Sequence, residues 1–189
     1  MRYMILVDPQ RDFFTGKFRN PEAIKIMPNI CKAIECHRGP IIATKDSHTD
    51  FNNSVEGRMF GEHCVVGTVD WDFPNEIHNA LDIQGSYYGY VSKNTFGSFA
   101  LINHIKDIEG VIKKQNFDMG KFSNIPSFVI LGLVTDICVI SNALLLRSAF
   151  PNSPITVYSD CCAGTTAENH EAALRIMQTC CINIEKRFA

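Results

Sequence analysis

The chain has 189 residues, of which 46% are hydrophobic and 20% are charged, and its formal net charge is −2. This composition is typical of a globular protein, and its slight acidity excludes the basic surface by which proteins bind nucleic acid or an anionic membrane. A small-molecule partner is therefore expected.

The chain carries no pattern typical of a membrane or secreted protein. No apolar run reaches the roughly 20 residues that a membrane-spanning helix needs, and the apolar stretch in MRYMILVDPQ is too short for a signal peptide. The eight cysteines contain no CxxC pair and lack the spacing of a disulfide framework. We therefore expect a cytoplasmic protein with reduced thiols and a single domain over residues 1–189.

The first half of the chain contains two predicted strands and one predicted helix. A strand over residues 3–8 is followed by a helix over 21–38, which Pro28 is expected to interrupt or kink. A second strand covers residues 40–46. Residues 47–87 are polar and poor in helical pattern, and so long a loop in a compact domain is usually functional.

The second half alternates regularly between strands and helices. Strands are predicted over residues 87–93, 127–133, 154–160 and 180–186, and helices over 99–116, 135–150 and 166–178. Thr135 and Thr166 are candidate N-caps of the last two helices. Runs that are apolar on both faces are typical of buried parallel strands. The whole pattern predicts a three-layer α/β/α, Rossmann-like fold around a mainly parallel sheet of about six strands.

Side chains that can take part in catalysis or bind a metal follow several of the predicted strands. Asp8, Asp46 with His48, Lys93 and the turn that contains Cys138 all stand at strand ends. Ligands of open α/β sheets bind outside the carboxyl ends of the strands. We therefore expect an acid, a metal-binding pair, a base and a thiol to meet at one edge of the sheet.

Cys138 lies just after a strand, in the first turn of a predicted helix. The helix dipole and the unpaired N–H groups there favour a thiolate and can hold an oxyanion. Asp8 can accept the thiol proton, and Lys93 can stabilise the thiolate. Buried cysteines are more often inert packing groups. Cys161 and Cys162 also follow a strand and are rival nucleophiles.

The stretch TKDSHTDFNNSVEGRMFGEHCVVGT contains the ligand types of a transition-metal site. In an extended segment Asp46 and His48 point the same way, and His63 follows, with Glu56 between the two histidines. Two imidazoles with carboxylates suit Zn²⁺, Fe²⁺ or Mn²⁺ better than Ca²⁺ or Mg²⁺. Cys64 is a weaker candidate ligand, and a plain polar loop is the alternative interpretation.

Four motifs, in order along the chain, resemble those of the isochorismatase-like cysteine hydrolases. They are DPQRDF (8–13), KNTFGSF (93–99), GLVTDICV (132–139) and DCCAGTTAENHEAALRIM (160–177). The metal segment, DSH followed by FGEHCVVGT, is similar to that of the nicotinamidase/pyrazinamidase group within this superfamily. Glu56 lies seven residues before His63, the spacing of an additional ligand in some nicotinamidases.

The resemblance implies a nicotinamidase, which hydrolyses nicotinamide to nicotinate and ammonia through a cysteine thioester in NAD salvage. Asp8 would be the general base, Lys93 would polarise and stabilise the site, and Cys138 would be the nucleophile. The N–H groups of Val134 and Cys138 would form the oxyanion hole, and the peptide bond before Val134 would be cis.

The resemblance also implies one divalent metal that binds the pyridine nitrogen, Zn²⁺ in first place and Fe²⁺ or Mn²⁺ as alternatives. Its ligands would be Asp46, His48, Glu56 and His63. Phe13, Phe60 and Phe96 match positions where the family places aromatic residues around the ring, although core packing explains aromatic residues equally well. The family often has P-x-H where this chain has FGEH, and Glu62 is therefore either a competitor of Glu56 as a ligand or a solvated neighbour.

Other functions stay open at this point. One is a cysteine hydrolase of the same superfamily that acts on another small amide or on a ureide. A second is a metal-binding module without catalysis, against which the intact Asp8, Lys93 and Cys138 argue. A third is vinyl-ether cleavage of isochorismate, which needs neither a cysteine nucleophile nor this metal set. The sequence also leaves open whether the chain forms a homo-oligomer.

Overall fold

The computed structural model describes residues 1–118 and 125–188, in which strands alternate with helices. The strands are β1 (Arg2–Val7), β2 (Ile41–Asp46), β3 (Tyr87–Lys93), β4 (Ser127–Leu133), β5 (Ile155–Ala163) and β6 (Asn183–Glu185). The helices are α1 (Arg11–Phe14), α2 (Pro21–Cys36), α3 (Val55–Phe60), α4 (Asn75–Gln84), α5 (Phe99–Asp118), α6 (Ile140–Ala149) and α7 (Ala167–Thr179), and a π-helical turn spans Thr135–Val139.

The strands form one parallel sheet in the order β3-β2-β1-β4-β5-β6. The chain moves from β1 outward to β3 and then returns to the other side of β1 as β4. Right-handed crossovers therefore place α2 and α4 on one face and α5, α6 and α7 on the other. The three-layer α/β/α fold predicted from the sequence is confirmed, and its topological switch point lies between β1 and β4.

The centre of the sheet is the centre of the hydrophobic core. Residues Tyr3 to Val7 of β1 are fully buried, and β4 is buried along nearly all of its length. Gly132 of β4 lies beside Val7 with φ of +127°, and a Cβ there would come within 2.0 Å of the Val7 carbonyl oxygen. This close approach requires glycine and brings the ends of β1 and β4 together.

Several sequence-based boundaries are corrected by the structure. The polar segment 47–87 contains α3 and α4, and the buried residues Ile77, Ala80 and Leu81 of α4 have the helical spacing that could have revealed it. Helix α2 continues through Pro28 without interruption. Strand β6 is shorter than expected because α7 extends to Thr179, and Cys181 precedes the strand with φ of +60°.

The two expected helix caps have different outcomes. The Thr166 side chain accepts a hydrogen bond from the Asn169 N–H, so this N-cap is confirmed. Thr135 is not an N-cap, since Val134 has that position and gives no side-chain cap. The Thr135 hydroxyl instead hydrogen-bonds to His170 Nδ1 at 2.8 Å.

Within the part of the chain that the structure describes, every helix is too short or too polar to span a lipid bilayer.

Candidate active site

Three side chains form a buried polar cluster at the carboxyl edge of the sheet. Lys93 Nζ lies 2.6 Å from Asp8 Oδ2 and 3.4 Å from Cys138 Sγ. Asp8 follows β1, Lys93 ends β3, and Cys138 lies in the π-helical turn after β4. All three are buried. The order of the strands therefore brings together the acid, the cation and the thiol that the sequence singled out.

The electrostatics of this cluster suit a thiol that needs a base. Burial raises the pKa of Cys138 well above its ordinary value, and the Lys93 ammonium opposes the rise only in part. Burial likewise raises the pKa of Asp8, although Lys93 acts to lower it. Burial would lower the pKa of Lys93, but the adjacent Asp8 and Cys138 raise it instead. A neutral thiol thus faces an ammonium–carboxylate pair, which can accept its proton.

The Asp8 carboxylate is oriented by Thr44 of β2. The Thr44 hydroxyl donates to Asp8 Oδ1 at 2.6 Å, and the Asp8 N–H donates back to the Thr44 hydroxyl oxygen at 3.2 Å. Asp8 has φ of +43°, the left-handed region that Asp tolerates better than most residues. The bond to Oδ1 leaves Oδ2 facing Lys93.

The turn after β4 presents Cys138 to a cavity. The Leu133–Val134 peptide bond is cis, as the resemblance implied. The Val134 carbonyl accepts hydrogen bonds from the N–H groups of Ile137 and Val139 at 3.2 and 3.1 Å. The Asn142 amide donates to the Cys138 carbonyl at 2.8 Å. These bonds engage two carbonyl groups of the turn and fix its orientation.

A second cluster beside the first has the composition of a metal site. Asp46, His48, Glu56 and His63 each offer one ligand atom, and these atoms lie within 4.8 Å of one another. The Nε2 atoms of His48 and His63 lie 3.0 and 3.1 Å from Asp46 Oδ2. Glu56 Oε1 lies 3.8 and 3.5 Å from the same two nitrogens. The four side chains therefore already converge on one point.

The charges of this cluster fit a bound cation. Asp46 Oδ1 is buried and accepts no hydrogen bond from the described residues. Burial alone would lower the pKa of His63, but hydrogen bonds with Asp46 and Glu56 raise it to about 10. The two carboxylates thus favour a positive charge among these side chains, which a proton or a divalent ion can supply. The donor set suits Zn²⁺, Fe²⁺ or Mn²⁺.

Backbone contacts orient the imidazole of His63 and fix the backbone of His48. His63 Nδ1 lies 2.8 Å from the Gly61 carbonyl oxygen, which places the ring proton on Nδ1 and leaves Nε2 to bind a metal. His48 pairs with Val65 in a β-bridge, in which the His48 N–H donates to the Cys64 carbonyl at 3.1 Å. The segments before and after α3 are thereby fastened to each other.

A cavity of about 260 Å³ joins the two clusters. Val134 and Cys138 line it, as do three residues of the candidate metal cluster, Asp46, Glu56 and His63. Its aromatic walls include the three phenylalanines named from the sequence, Phe13, Phe60 and Phe96. Phe60 and Phe96 meet edge to face with ring centroids 6.3 Å apart. The cavity can therefore hold a small flat molecule between a thiol and a cation site.

The rival residues lie outside this arrangement. Cys161 and Cys162 lie within β5, which extends further than predicted, and burial raises the pKa of Cys162 to about 12. Glu62 is exposed and is not part of the metal cluster. The Cys64 side chain is buried in the core and is likewise outside that cluster. Among the described cysteines, Cys138 alone lines the cavity.

Several residues that support the site have no role that the sequence predicted. Gln10 hydrogen-bonds both the N–H and the carbonyl of Asp46 at 2.7 Å, and Asp12 accepts from the Cys64 N–H at 2.7 Å. Both lie within the DPQRDF motif, which could have singled them out. Asn142 and Arg19 carry no comparable signal, because their places depend on the fold. Arg19 lines the cavity and has no ion-pair or hydrogen-bond partner for its side chain among the described residues.

The sequence is similar to a known protein family, and the fold is similar to those of solved structures. The Isochorismatase domain family model matches residues 2–186. No curated protein sequence matches the chain. Similar solved structures include a pyrazinamidase of Pyrococcus horikoshii in complex with zinc (TM-score 0.74, 24% identity, covering 98% of this chain and 99% of that one).

Two further solved structures are similar over nearly the full length. One is N-carbamoylsarcosine amidase from Thermoplasma acidophilum, with TM-score 0.73 and 23% identity over 98% of this chain and 95% of that one. The other is a pyrazinamidase/nicotinamidase from Streptococcus mutans, with TM-score 0.73 and 21% identity over 98% of this chain and 100% of that one. At these identities the likeness shows a shared fold.

Proposed function

The chain belongs to the isochorismatase domain family, and from this premise we propose that it is an amidohydrolase of the nicotinamidase type. It would hydrolyse nicotinamide to nicotinate and ammonia through a thioester on Cys138. The observation that carries the proposal is the convergence of two clusters on one cavity. Asp8, Lys93 and Cys138 supply the chemistry of amide hydrolysis, and Asp46, His48, Glu56 and His63 supply a cation site beside it.

The first half of the reaction forms the thioester. Asp8 takes the proton of the Cys138 thiol, and Lys93 stabilises the thiolate that results. The sulfur attacks the amide carbon, and the N–H groups of Val134 and Cys138 receive the negative charge on the amide oxygen. Asp8 then gives its proton to the leaving nitrogen, the C–N bond breaks, and ammonia departs.

The second half returns the enzyme to its starting state. Asp8, ionised again, takes a proton from a water molecule that attacks the thioester carbon. The C–S bond breaks, Cys138 recovers its proton from Asp8, and the carboxylic acid product leaves and loses its own proton to the solvent. Burial suits Asp8 for both roles, because it raises the pKa of Asp8 against the lowering effect of Lys93, and the pKa of a general base must lie closer to neutrality than that of an exposed aspartate.

The four candidate metal ligands are the reason that we propose a pyridine amide as the substrate. When bound, a divalent metal such as Zn²⁺ would supply a Lewis-acid contact for the pyridine nitrogen. Phe13, Phe60 and Phe96 would pack around the ring and exclude water. Holding the ring between these walls places the amide near Cys138, and such positioning can supply at best about 7–11 kcal/mol of barrier reduction. The similarity to a zinc-bound pyrazinamidase supports this assignment.

One observation favours a second candidate, a hydrolase of small ureides. Arg19 is an exposed cation on the cavity wall with no partner among the described residues. A guanidinium there could bind the carboxylate of an N-carbamoyl amino acid. A structural neighbour is an N-carbamoylsarcosine amidase. A neutral pyridine amide would make no use of this charge.

Ammonia release from purified, Zn²⁺-loaded protein tests both candidates. Nicotinamide, pyrazinamide and N-carbamoylsarcosine are compared at equal concentrations, for the wild type and for Arg19→Gln. The nicotinamidase proposal expects the pyridine and pyrazine amides to be preferred and Arg19→Gln to change little. Preference for the N-carbamoyl acid, lost in Arg19→Gln, would instead establish the second candidate.

A further inference from the structure

Lys45 is a buried cation on the strand that carries Asp46. It lies in β2 between Thr44, which orients Asp8, and Asp46 of the candidate metal site. Side chains alternate along a strand, so Lys45 points away from the side on which Thr44 and Asp46 meet the active site. Its exposure is 3%. A lysine so deeply buried is rare unless it is paired.

The ammonium of Lys45 lies within a box of aromatic rings. It is 4.2 Å from the ring centroid of Trp71 and 4.4 Å from those of Phe73 and Tyr90. It also pairs with Asp72 Oδ1 at 2.6 Å. Three of these four partners are consecutive residues, which we call the 71–73 segment. Attraction between a cation and three ring faces orders the segment around Lys45.

The same segment also holds the residues next to Lys45 in the chain. The Gln10 amide donates to the carbonyls of both Trp71 and Asp46, at 2.9 and 2.7 Å, and accepts from the Asp46 N–H at 2.7 Å. The Trp71 indole N–H donates to the Ser47 hydroxyl at 2.9 Å. Residues 45, 46 and 47 are thus each linked to the segment, directly or through Gln10.

Helix α1 also holds the 71–73 segment through hydrogen bonds from Arg11. The Arg11 N–H donates to the Asp72 carbonyl at 2.8 Å, and the Arg11 guanidinium donates to the Phe73 carbonyl at 3.2 Å. Because α1 begins three residues after Asp8, the segment connects the end of β1 with the end of β2. Displacing it would shift Asp46 relative to the other candidate ligands.

We propose that Lys45 is a positioning residue for the metal site. Its ammonium, boxed by Trp71, Asp72, Phe73 and Tyr90, orders the 71–73 segment, and the segment holds Asp46 in place for a metal that Lys45 never touches. The inference rests on the metal site of the proposed function. A neutral side chain of the same length would fill the space, but Asp72 Oδ1 would lose its ammonium partner and the rings would lose their cation, although His78 would still contact Asp72 Oδ2 at 3.3 Å.

The test is the Zn²⁺ affinity of metal-free protein, measured by competition with a chromogenic chelator well below the unfolding temperature. Residues that orient metal ligands typically contribute 10- to 100-fold to affinity. We expect Lys45→Met to raise the Zn²⁺ Kd at least about tenfold and to alter the visible absorption of Co²⁺ bound in its place. Tyr90→Leu, which removes one partly exposed ring, should raise the Kd by a smaller factor.

Tyr3→Phe is the matched control. It removes a buried hydrogen bond to Glu109 at the opposite end of β1 and should leave the Kd within twofold of the wild type. A wild-type Kd in folded Lys45→Met overturns the inference, whatever its thermal stability. If Lys45→Met does not fold, an unchanged Kd in Tyr90→Leu overturns it. A wild-type protein that binds no Zn²⁺ contradicts the metal site itself, and with it both proposals.

Discussion

Lys93 reaches across strand β2 to place its ammonium 2.6 Å from the carboxylate of Asp8. The two residues end strands that are not neighbours in the sheet, since β2 lies between β3 and β1. The same ammonium nitrogen also lies 3.6 Å from Asp46 Oδ1. One buried cation is therefore shared by the candidate base and by a candidate metal ligand, so the two clusters are electrostatically linked.

Removing that cation should destabilise the fold. Lys93→Met leaves the carboxylates of Asp8 and Asp46 buried without their shared partner, and breaking a buried pair in this way costs about 3–5 kcal/mol. We expect urea denaturation to show a loss of this size, most of it recovered in the double variant Asp8→Asn/Lys93→Met. Lys25→Met, which breaks an exposed pair with Glu22, should have little effect. Equal losses in the two lysine variants would contradict this account.

Replacing the thiol should abolish turnover without affecting the metal. For Cys138→Ala we expect ammonia release to fall by at least about 10³-fold, because no other described side chain in the cavity can form the thioester. Zn²⁺ content, measured by atomic absorption, should match the wild type. Cys162→Ala removes a buried thiol outside the cavity and should keep its rate within a few fold. An active Cys138→Ala protein would rule out the mechanism.

The two glutamates near the metal cluster should differ sharply. Glu56→Gln replaces a group that lies 3.5 Å from His63 Nε2, so we expect weaker Zn²⁺ binding and a smaller rise in unfolding temperature when Zn²⁺ is added. For the wild type, Zn²⁺ at 100 times its Kd should add about 2.7 kcal/mol of stability. Glu62→Gln alters an exposed residue of the same loop and should behave like the wild type. If Glu62→Gln weakened Zn²⁺ binding and Glu56→Gln did not, the ligand would be Glu62 and not Glu56.

The pH dependence of turnover should reveal the pKa of the proposed general base, Asp8. Asp8 must be ionised to accept the thiol proton, so kcat/KM should fall as the pH drops through the pKa of Asp8. Since burial raises this pKa, the fall should begin above the range of an ordinary aspartate, about pH 4. Metal content must be followed at each pH, because protonation of the histidines would also release Zn²⁺. An acid limb at or below pH 4 with metal retained would exclude Asp8 as the base.

The contact between β1 and β4 should depend on Gly132. An alanine there would need φ of +127° and would press its Cβ against the Val7 carbonyl oxygen. We expect Gly132→Ala to lose about 3 kcal/mol or to fail to fold. Gly110→Ala, at an exposed position of α5 with open space around it, should be neutral or stabilising by up to about 1 kcal/mol. Thermal unfolding of the two variants provides the comparison.

Much of the fold and the site follows from local patterns. Apolar β-branched runs separated by helical patterns specify buried parallel strands, and the residues after those runs must lie at one edge of the sheet. The sequence alone therefore predicts that Asp8, Asp46, Lys93 and Cys138 lie together. Helix α4 was missed, although Ile77, Ala80 and Leu81 carry its spacing, because the polar composition of the surrounding segment obscured so short an apolar stripe.

What the sequence by itself determined is the layered α/β fold and the residue types that meet at its edge, because hydrophobic periodicity is a local property of the chain. Only the tertiary structure decided which of several chemically equivalent groups lie at the cavity and in the cluster beside it. In the folded chain Cys138 and Glu56 line the cavity, whereas Cys162 and Glu62 lie outside it. The fold also surrounds the Lys45 ammonium with three aromatic rings. These choices depend on distances between segments far apart in the chain, which the packing of the sheet and its helices sets and local pattern does not encode.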